Sequence, residues 1–324
     1  MSGVLGGNTL KNTLLAGLAC TFAFAASGSF AADCTTSKWG ADDQIGSANL
    51  VTAENTLMAA KLIKRGKSVP LGIVIGPDTP AFAPRSLSLQ VVQPNQQGGQ
   101  KLDAFGYPGN YNDDLLQTWL GIGSQIDGLG HLGEKGYYYN CLSEKEISAI
   151  TGLTKLGVHD IPPLVGRGVV LNMAKHFGKD ALAAGENFGE ADIKAAAKAQ
   201  GVTLGESDII LFHTGWTDAM LEADPKAWVS GEPGINVEGS RYIASLNPMA
   251  VGADTWGVEP VPPKKGDGAF YGHVVLLKEN GIYILETMNT GLLVADDVTE
   301  FMFVLGQARI RGTVQMIINP VALY

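Results

Sequence analysis

Residues 121–140, GIGSQIDGLGHLGEKGYYYN, put an amide (Gln125), a carboxylate (Asp127) and an imidazole (His131) within seven residues, in a chain with five histidines. On an extended segment Gln125 and Asp127 are two apart and point to the same face. Gly128 and Gly130 then allow a turn sharp enough to bring His131 back toward them. A strand end feeding such a turn can converge metal ligands or a general base; the same residues would also make a polar turn with a structural Asp. A second pair lies far downstream. His273 and Glu286 flank Glu279-Asn280-Gly281, which reads as a hairpin turn joining strands at His273–Leu277 and Ile282–Glu286. In a register centred on Asn280-Gly281 the two side chains nearly face each other at one end of the ladder. That placement suits a metal site, an acid/base pair or a surface ion pair.

The elements that must position these groups alternate between strand and helix signals. Thr52 reads as the N-cap of a helix running to about Lys64, with Gly66 as its stop. Strands are expected at 68–75 and 86–93, separated by an irregular stretch with three prolines in nine residues, Gly76–Pro84, that connects them or folds over a pocket. Ser143 to Glu146 carries a capping-box pattern. Further strands are expected at Gly168–Met173, Asp208–His213, Met249–Ala253 and Thr313–Ile318, with helices at Glu190–Gln200 and Val237–Ser245. The pattern predicts an α/β or α+β core with a substantial sheet.

Composition bounds the function. The 324 residues are 45% hydrophobic and 17% charged with 42 glycines, an ordinary globular balance rich in tight turns. A net charge of −9 argues against nucleic acid or an anionic membrane surface as partner, because both need basic patches. Lys11, the apolar run Leu14–Ala26 and the small-x-small site Ser29-Phe30-Ala31 read as a signal peptide cleaved after Ala31, leaving residues 32–324 as one domain, periplasmic or secreted. An uncleaved membrane anchor is the alternative reading. Export leaves Cys34 and Cys141 in an oxidising compartment, either as a disulfide or as two buried thiols.

Gly123-Ser124-Gln125-Ile126-Asp127-Gly-Leu-Gly-His131, with His273-x-x-Leu276-Leu277-x-x-x-Gly281-Ile282-x-Ile284-x-Glu286 downstream, resembles the putative cyclase family that includes bacterial kynurenine formamidases. Trp39-Gly-Ala-Asp-Asp-x-x-Gly46, Gly166-Arg-Gly-Val169, Thr214-Gly-Trp216 and Gly252-x-Asp254-Thr255 look like its larger bacterial members. The family motif His-x-x-x-His-x-Asp-x-Pro-x-His carries over unevenly. Its Asp falls on Asp127 and its last His on His131, but its first His falls on Gly121, its second on Gln125 and its Pro on Leu129. The downstream His and Glu match His273 and Glu286.

The resemblance implies a swivelling β/β/α fold, with a central mixed sheet or barrel-like core flanked by helices, and a homo-oligomer, dimer or tetramer. It implies metal-assisted hydrolysis of an amide, lactone or lactam in a small-molecule substrate, in which a divalent ion acidifies water and polarises the carbonyl. With two motif imidazoles absent, one ion is expected, Mn2+ or Zn2+, the oxygen-rich donors leaning toward manganese. Gln125, Asp127 and His273 are the candidate ligands, Glu286 a ligand or an orienting partner, and His131 the general acid or base, or else a structural histidine. Trp119, Tyr139 and Trp256 are candidates to flank a planar substrate, against ordinary core packing. His213 is expected to be a buried, hydrogen-bonded core histidine, His159 and His176 surface residues, and Asp254 a turn cap. A lyase or cyclase on a related carbonyl would use the same groups, and a non-catalytic binding protein could keep the fold. No G-x-S-x-G nucleophile elbow occurs, which dismisses that serine-hydrolase class.

Overall fold

The computed structural model describes residues 34–92, 100–102 and 105–324. The proposed signal peptide lies outside them. Four parallel strands form the centre of a nine-stranded mixed sheet: Leu164–Asn172, Ile209–His213, Ala250–Ala253 and Tyr283–Glu286. The last three are buried at every residue, as expected of parallel strands covered on both faces. Antiparallel strands extend both edges. Glu300–Leu305, Val321–Leu323 and Ser68–Pro70 follow on one side, Gln125–Asp127 and Gln315–Ile317 on the other. Helices Ala53–Ala60, Glu190–Ala199 and Val237–Ser245 flank the sheet. The expected α/β architecture with a central mixed sheet is what the chain adopts.

Local signals are mostly realised where the residues predict them. The Thr52 side chain accepts from the Asn55 N–H and starts the first helix, which ends at Ala60, short of Lys64. The Ser143/Glu146 capping box is present. Cys34 and Cys141 are joined as a disulfide. Beside it, the Asn140 amide donates to the Gly40, Ala41 and Asp43 carbonyls, and Tyr139 donates to Asp43 at 2.6 Å. The N-terminal lead-in is thereby fastened to the segment after His131.

The hairpin expectation fails. Tyr271–His273 is helical and continues as a π-helix, Val274–Glu279, so His273–Leu277 is not a strand. An apolar run of four residues fits a buried helix as well as a buried strand, and Asn280-Gly281 serves a helix stop as readily as a turn. Gly281 has φ +65°, and a Cβ there would meet the Tyr139 ring at 2.4 Å. The helix then hands over to the Tyr283–Glu286 strand, so His273 and Glu286 still meet, through a helix-to-strand return. The strand expected at 68–75 is shorter, Ser68–Pro70.

Candidate active site

Gln125–Asp127 sits between two strands, with Gln125 opposite Glu286 on one side and Asp127 opposite Gln315 on the other. Pairing in register puts Gln125, Asp127, Glu286 and Gln315 on one face of the sheet, while Ile126 between them turns into the core. The helical turn at Tyr271–His273 lowers the fifth group onto that face. Glu259 holds it there: its carboxylate accepts the backbone N–H groups of Gly272 and His273 at 2.8 Å and meets His273 Nδ1 at 2.7 Å.

Three ligand atoms converge. His273 Nε2 lies 3.2 Å from Glu286 Oε1 and 3.7 Å from Asp127 Oδ2, and a donor atom from each residue fits within 4.8 Å of the others. An ion with bonds of roughly 2.1 Å in tetrahedral array sets its ligands about 3.4 Å apart. The remaining oxygens are already engaged. The Gln125 amide donates to Glu286 Oε2 at 2.6 Å and Asp127 Oδ1 at 3.1 Å, and the Gln315 amide donates to Asp127 Oδ1 at 2.8 Å. Asp127 Oδ2 is buried without a hydrogen-bond partner, a costly condition unless a cation fills it. These residues fit one divalent ion.

Gln125, a candidate ligand from the sequence, presents its amide NH2 to both Asp127 and Glu286 in this arrangement and so orients the two carboxyl groups.

The electrostatics agree with an acidic centre. Burial and the neighbouring Asp127 push Glu286 up to about 8, against the opposing charges of His273 and Arg85. Burial works against a charged His273, but its hydrogen bonds and ion pairs with Glu259 and Glu286 hold its pKa well above the usual value. Metal binding would displace that proton. Burial also raises Glu232, which Glu286 pushes further.

His131 stands beside this centre, its Nε2 3.8 Å from Asp127 Oδ2 and 3.4 Å from Gln315 Nε2. Burial lowers its pKa, opposed by Asp127 and reinforced by His273 and Arg85, which favours the neutral imidazole that a general base needs. A cavity of about 160 Å³ opens over His131, His273 and Glu286, walled by Phe82, Trp256 and Phe270. Phe82 stacks on Trp256 with ring centres 5.7 Å apart, and Phe270 meets the His273 ring edge-on at 5.5 Å. A larger groove of about 810 Å³, which Trp119 lines, adjoins at Arg85 and His131. Of the aromatic candidates, Trp256 lines the inner cavity and Trp119 the outer groove. Tyr139 lines neither: it is buried, with its hydroxyl spent on Asp43 and Ser37.

Among the other histidines, His213 is buried with Nδ1 2.9 Å from the Thr290 hydroxyl, and Asp254 accepts from Thr214 as a cap. Sequence reasoning missed Glu259, Gln315, Arg85, Phe82 and Phe270. Gln315 alone had a legible signal, a polar residue inside the apolar run Thr313–Ile318.

The family described as Putative cyclase matches residues 69–260. The chain belongs to that family. A solved structure described as a novel cyclase is 28% identical with a TM-score of 0.78, covering 89% of this chain and 96% of its own. The cyclase fold is shared more distantly with isatin hydrolase A of Ralstonia solanacearum, 17% identical, TM-score 0.60, covering 84% of this chain and 97% of that one. Isatin hydrolase A of Labrenzia aggregata, bound to benzyl benzoate, is 18% identical at TM-score 0.56, covering 79% and 93%. No curated protein matches the sequence.

Proposed function

We propose that this cyclase-family protein is a metal-dependent hydrolase of amide, lactone or lactam carbonyls, with one divalent ion, Mn2+ or Zn2+, held by Asp127, His273 and Glu286. The observation that carries the reading is the convergence of these three donors around an Asp127 oxygen that has no hydrogen-bond partner among the described residues. The isatin hydrolases that share the fold support it by analogy alone.

When bound, the ion supplies Lewis acidity that polarises a carbonyl and acidifies water. The chain's own groups do the rest. Gln125 and Gln315 tie back one oxygen of each carboxylate, leaving the other directed at the cavity. Glu259 holds the proton on His273 Nδ1 and so turns the Nε2 lone pair inward. Neutral His131 takes a proton from the attacking water and returns it to the leaving group. The aromatic wall excludes water and presents a flat surface to a planar substrate.

Elemental analysis of the mature protein tests this. About one tightly held divalent ion per chain, lost in Asp127→Ala, is the expected result, followed by turnover of a lactam or lactone panel. No metal in either protein after reconstitution with manganese and zinc would sink the mechanism.

Two further parts belong to the proposal. The Cys34–Cys141 disulfide suits an exported protein in an oxidising compartment. A homo-oligomer is proposed because the ribbon pairing Leu87–Val92 with Asp113–Thr118 exposes Leu89, Val91, Leu115 and Leu116, about half or more of each surface, and a two-stranded ribbon is marginal without cover. Light scattering on the eluting protein should give at least a dimer; a monomer at micromolar concentration would refute it.

A further inference from the structure

The charge of Arg85 opposes the rise in the Glu286 pKa without an ion pair between the two residues. Arg85 Nη1 donates to the Gly121 carbonyl at 2.7 Å, and no carboxylate among the described residues pairs with it. An arginine carries five N–H donors in a planar fork, so most of this one's donors are uncommitted among the described residues. The residue lies where the inner cavity and the outer groove meet, lining both. Among the described residues it is the sole lysine or arginine in either lining.

What allows it there is the residue beneath. A Cβ at Gly121 would come within 2.7 Å of Arg85 Nη1 and 2.8 Å of Gln315 Oε1. The missing side chain at Gly121 leaves the space that the guanidinium occupies, beside an acidic centre.

We propose that Arg85 is a substrate-specificity residue that binds an anionic group, a carboxylate, on a substrate whose flat body lies against Phe82, Trp256 and Phe270. The inference rests on the hydrolase reading for the word substrate but not for the binding itself. Three observations support it. A guanidinium and a carboxylate match in a two-bonded fork. The inner cavity of about 160 Å³ is of the size that accepts a single aromatic ring. Arg85 lines both the inner cavity and the outer groove, so an anionic ligand is oriented with its charged group at that junction and its neutral ring against the aromatic walls.

Benzoate and its neutral isostere benzamide are the probes. Calorimetric titration of the full mature protein is made with and without added manganese, in wild type, Arg85→Met and Arg85→Lys. The expected result is that benzoate binds more tightly than benzamide in both metal states. Arg85→Met should weaken benzoate tenfold or more, the loss of charge-assisted bonds, and leave benzamide within twofold. Arg85→Lys should retain part of the preference, and unchanged benzamide affinity shows that the variants are folded. Benzoate binding that needs the metal and ignores Arg85→Met would overturn the proposal, as would equal loss of both probes. Absence of a metal dependence of turnover would damage only the hydrolase reading, since benzoate binding at Arg85 is measured without turnover.

Discussion

At the closed end of the cavity the side chains come from the sheet and from what is pressed against it: Gln125, Asp127, Glu286 and Gln315 from three adjacent strands, His273 from a helical turn fixed by Glu259, all of them buried. At the open end Phe82 and Arg85 come from the loop before Leu87–Val92, and Trp119 follows the exposed ribbon; Phe82 and Trp119 are 56% and 51% exposed. The division has a physical basis. Chemistry tolerates misplacement of only about 0.5 Å, which paired strands can hold and loops cannot. Recognition accepts more variation, so substrate choice can drift at the open end without rebuilding the centre.

The largest effect is expected from breaking the closed end at its unpartnered oxygen. Asp127→Ala should abolish tight metal binding by elemental analysis and lower kcat/KM by roughly a thousandfold or more. The strand should survive, because Ile126 and its pairing with Tyr283–Glu286 remain. A variant that kept both the ion and the activity would move the centre elsewhere.

Glu259→Gln tests how far that precision reaches. Glu259 touches no ligand atom of the cavity; it acts through His273 Nδ1 and the backbone behind it. Loss of such an orienting carboxylate typically weakens metal affinity about 10- to 100-fold. The check is a competitive metal titration, with turnover at saturating metal measured alongside. A merely structural Glu259 would lower the melting temperature and leave the metal affinity alone.

The same division explains what was legible in the sequence. Asp127, His131, His273 and Glu286 could be named because their types are rare and their spacing matches a family pattern. The parallel strands at 209–213 and 250–253 were visible as apolar runs. Partners that act across the fold were not visible: Glu259 is one acidic residue in a bend, and Arg85 follows a proline-rich loop. Nothing local distinguishes them, since their function comes from long-range proximity. His273 shows the opposite case, where the site was right and the element wrong, because Val274-Val275-Leu276-Leu277 has no period that separates helix from strand. Tyr139 reads in the sequence as a candidate to flank a planar substrate or as core, and its ring packs beside Gly281 while its hydroxyl bonds Asp43.

That placement has its own test. Asp43 also accepts from Ser37, Asn49 and the Ile45 N–H, and these bonds outweigh burial, so its pKa is lowered from 3.8. Asp43→Ala should cost about 1–2 kcal/mol of stability at neutral pH, given the residue's partial exposure, with kcat/KM unchanged. The sign follows from the lowered pKa: the stabilisation is present above the unfolded value of 3.8 and is lost as the pH falls through the lower folded value. Melting temperatures of wild type and variant should therefore differ by a constant amount at neutral pH and converge in acid. A fall in kcat/KM without loss of stability would return Tyr139 to the cavity.

The smallest effect is expected at the open end. Phe82→Ala removes one face of the stack on Trp256, an aromatic pair worth about 0.5–1.5 kcal/mol. Because Phe82 is more than half exposed, its removal leaves no buried void, and the melting temperature should hardly move. KM for a planar substrate should rise several-fold with kcat nearly constant, since the ring presses equally on substrate and transition state. A matching loss of kcat would mean that Phe82 shapes the reacting geometry, and the line between a rigid chemical end and a tolerant recognition end would have to be drawn nearer the solvent.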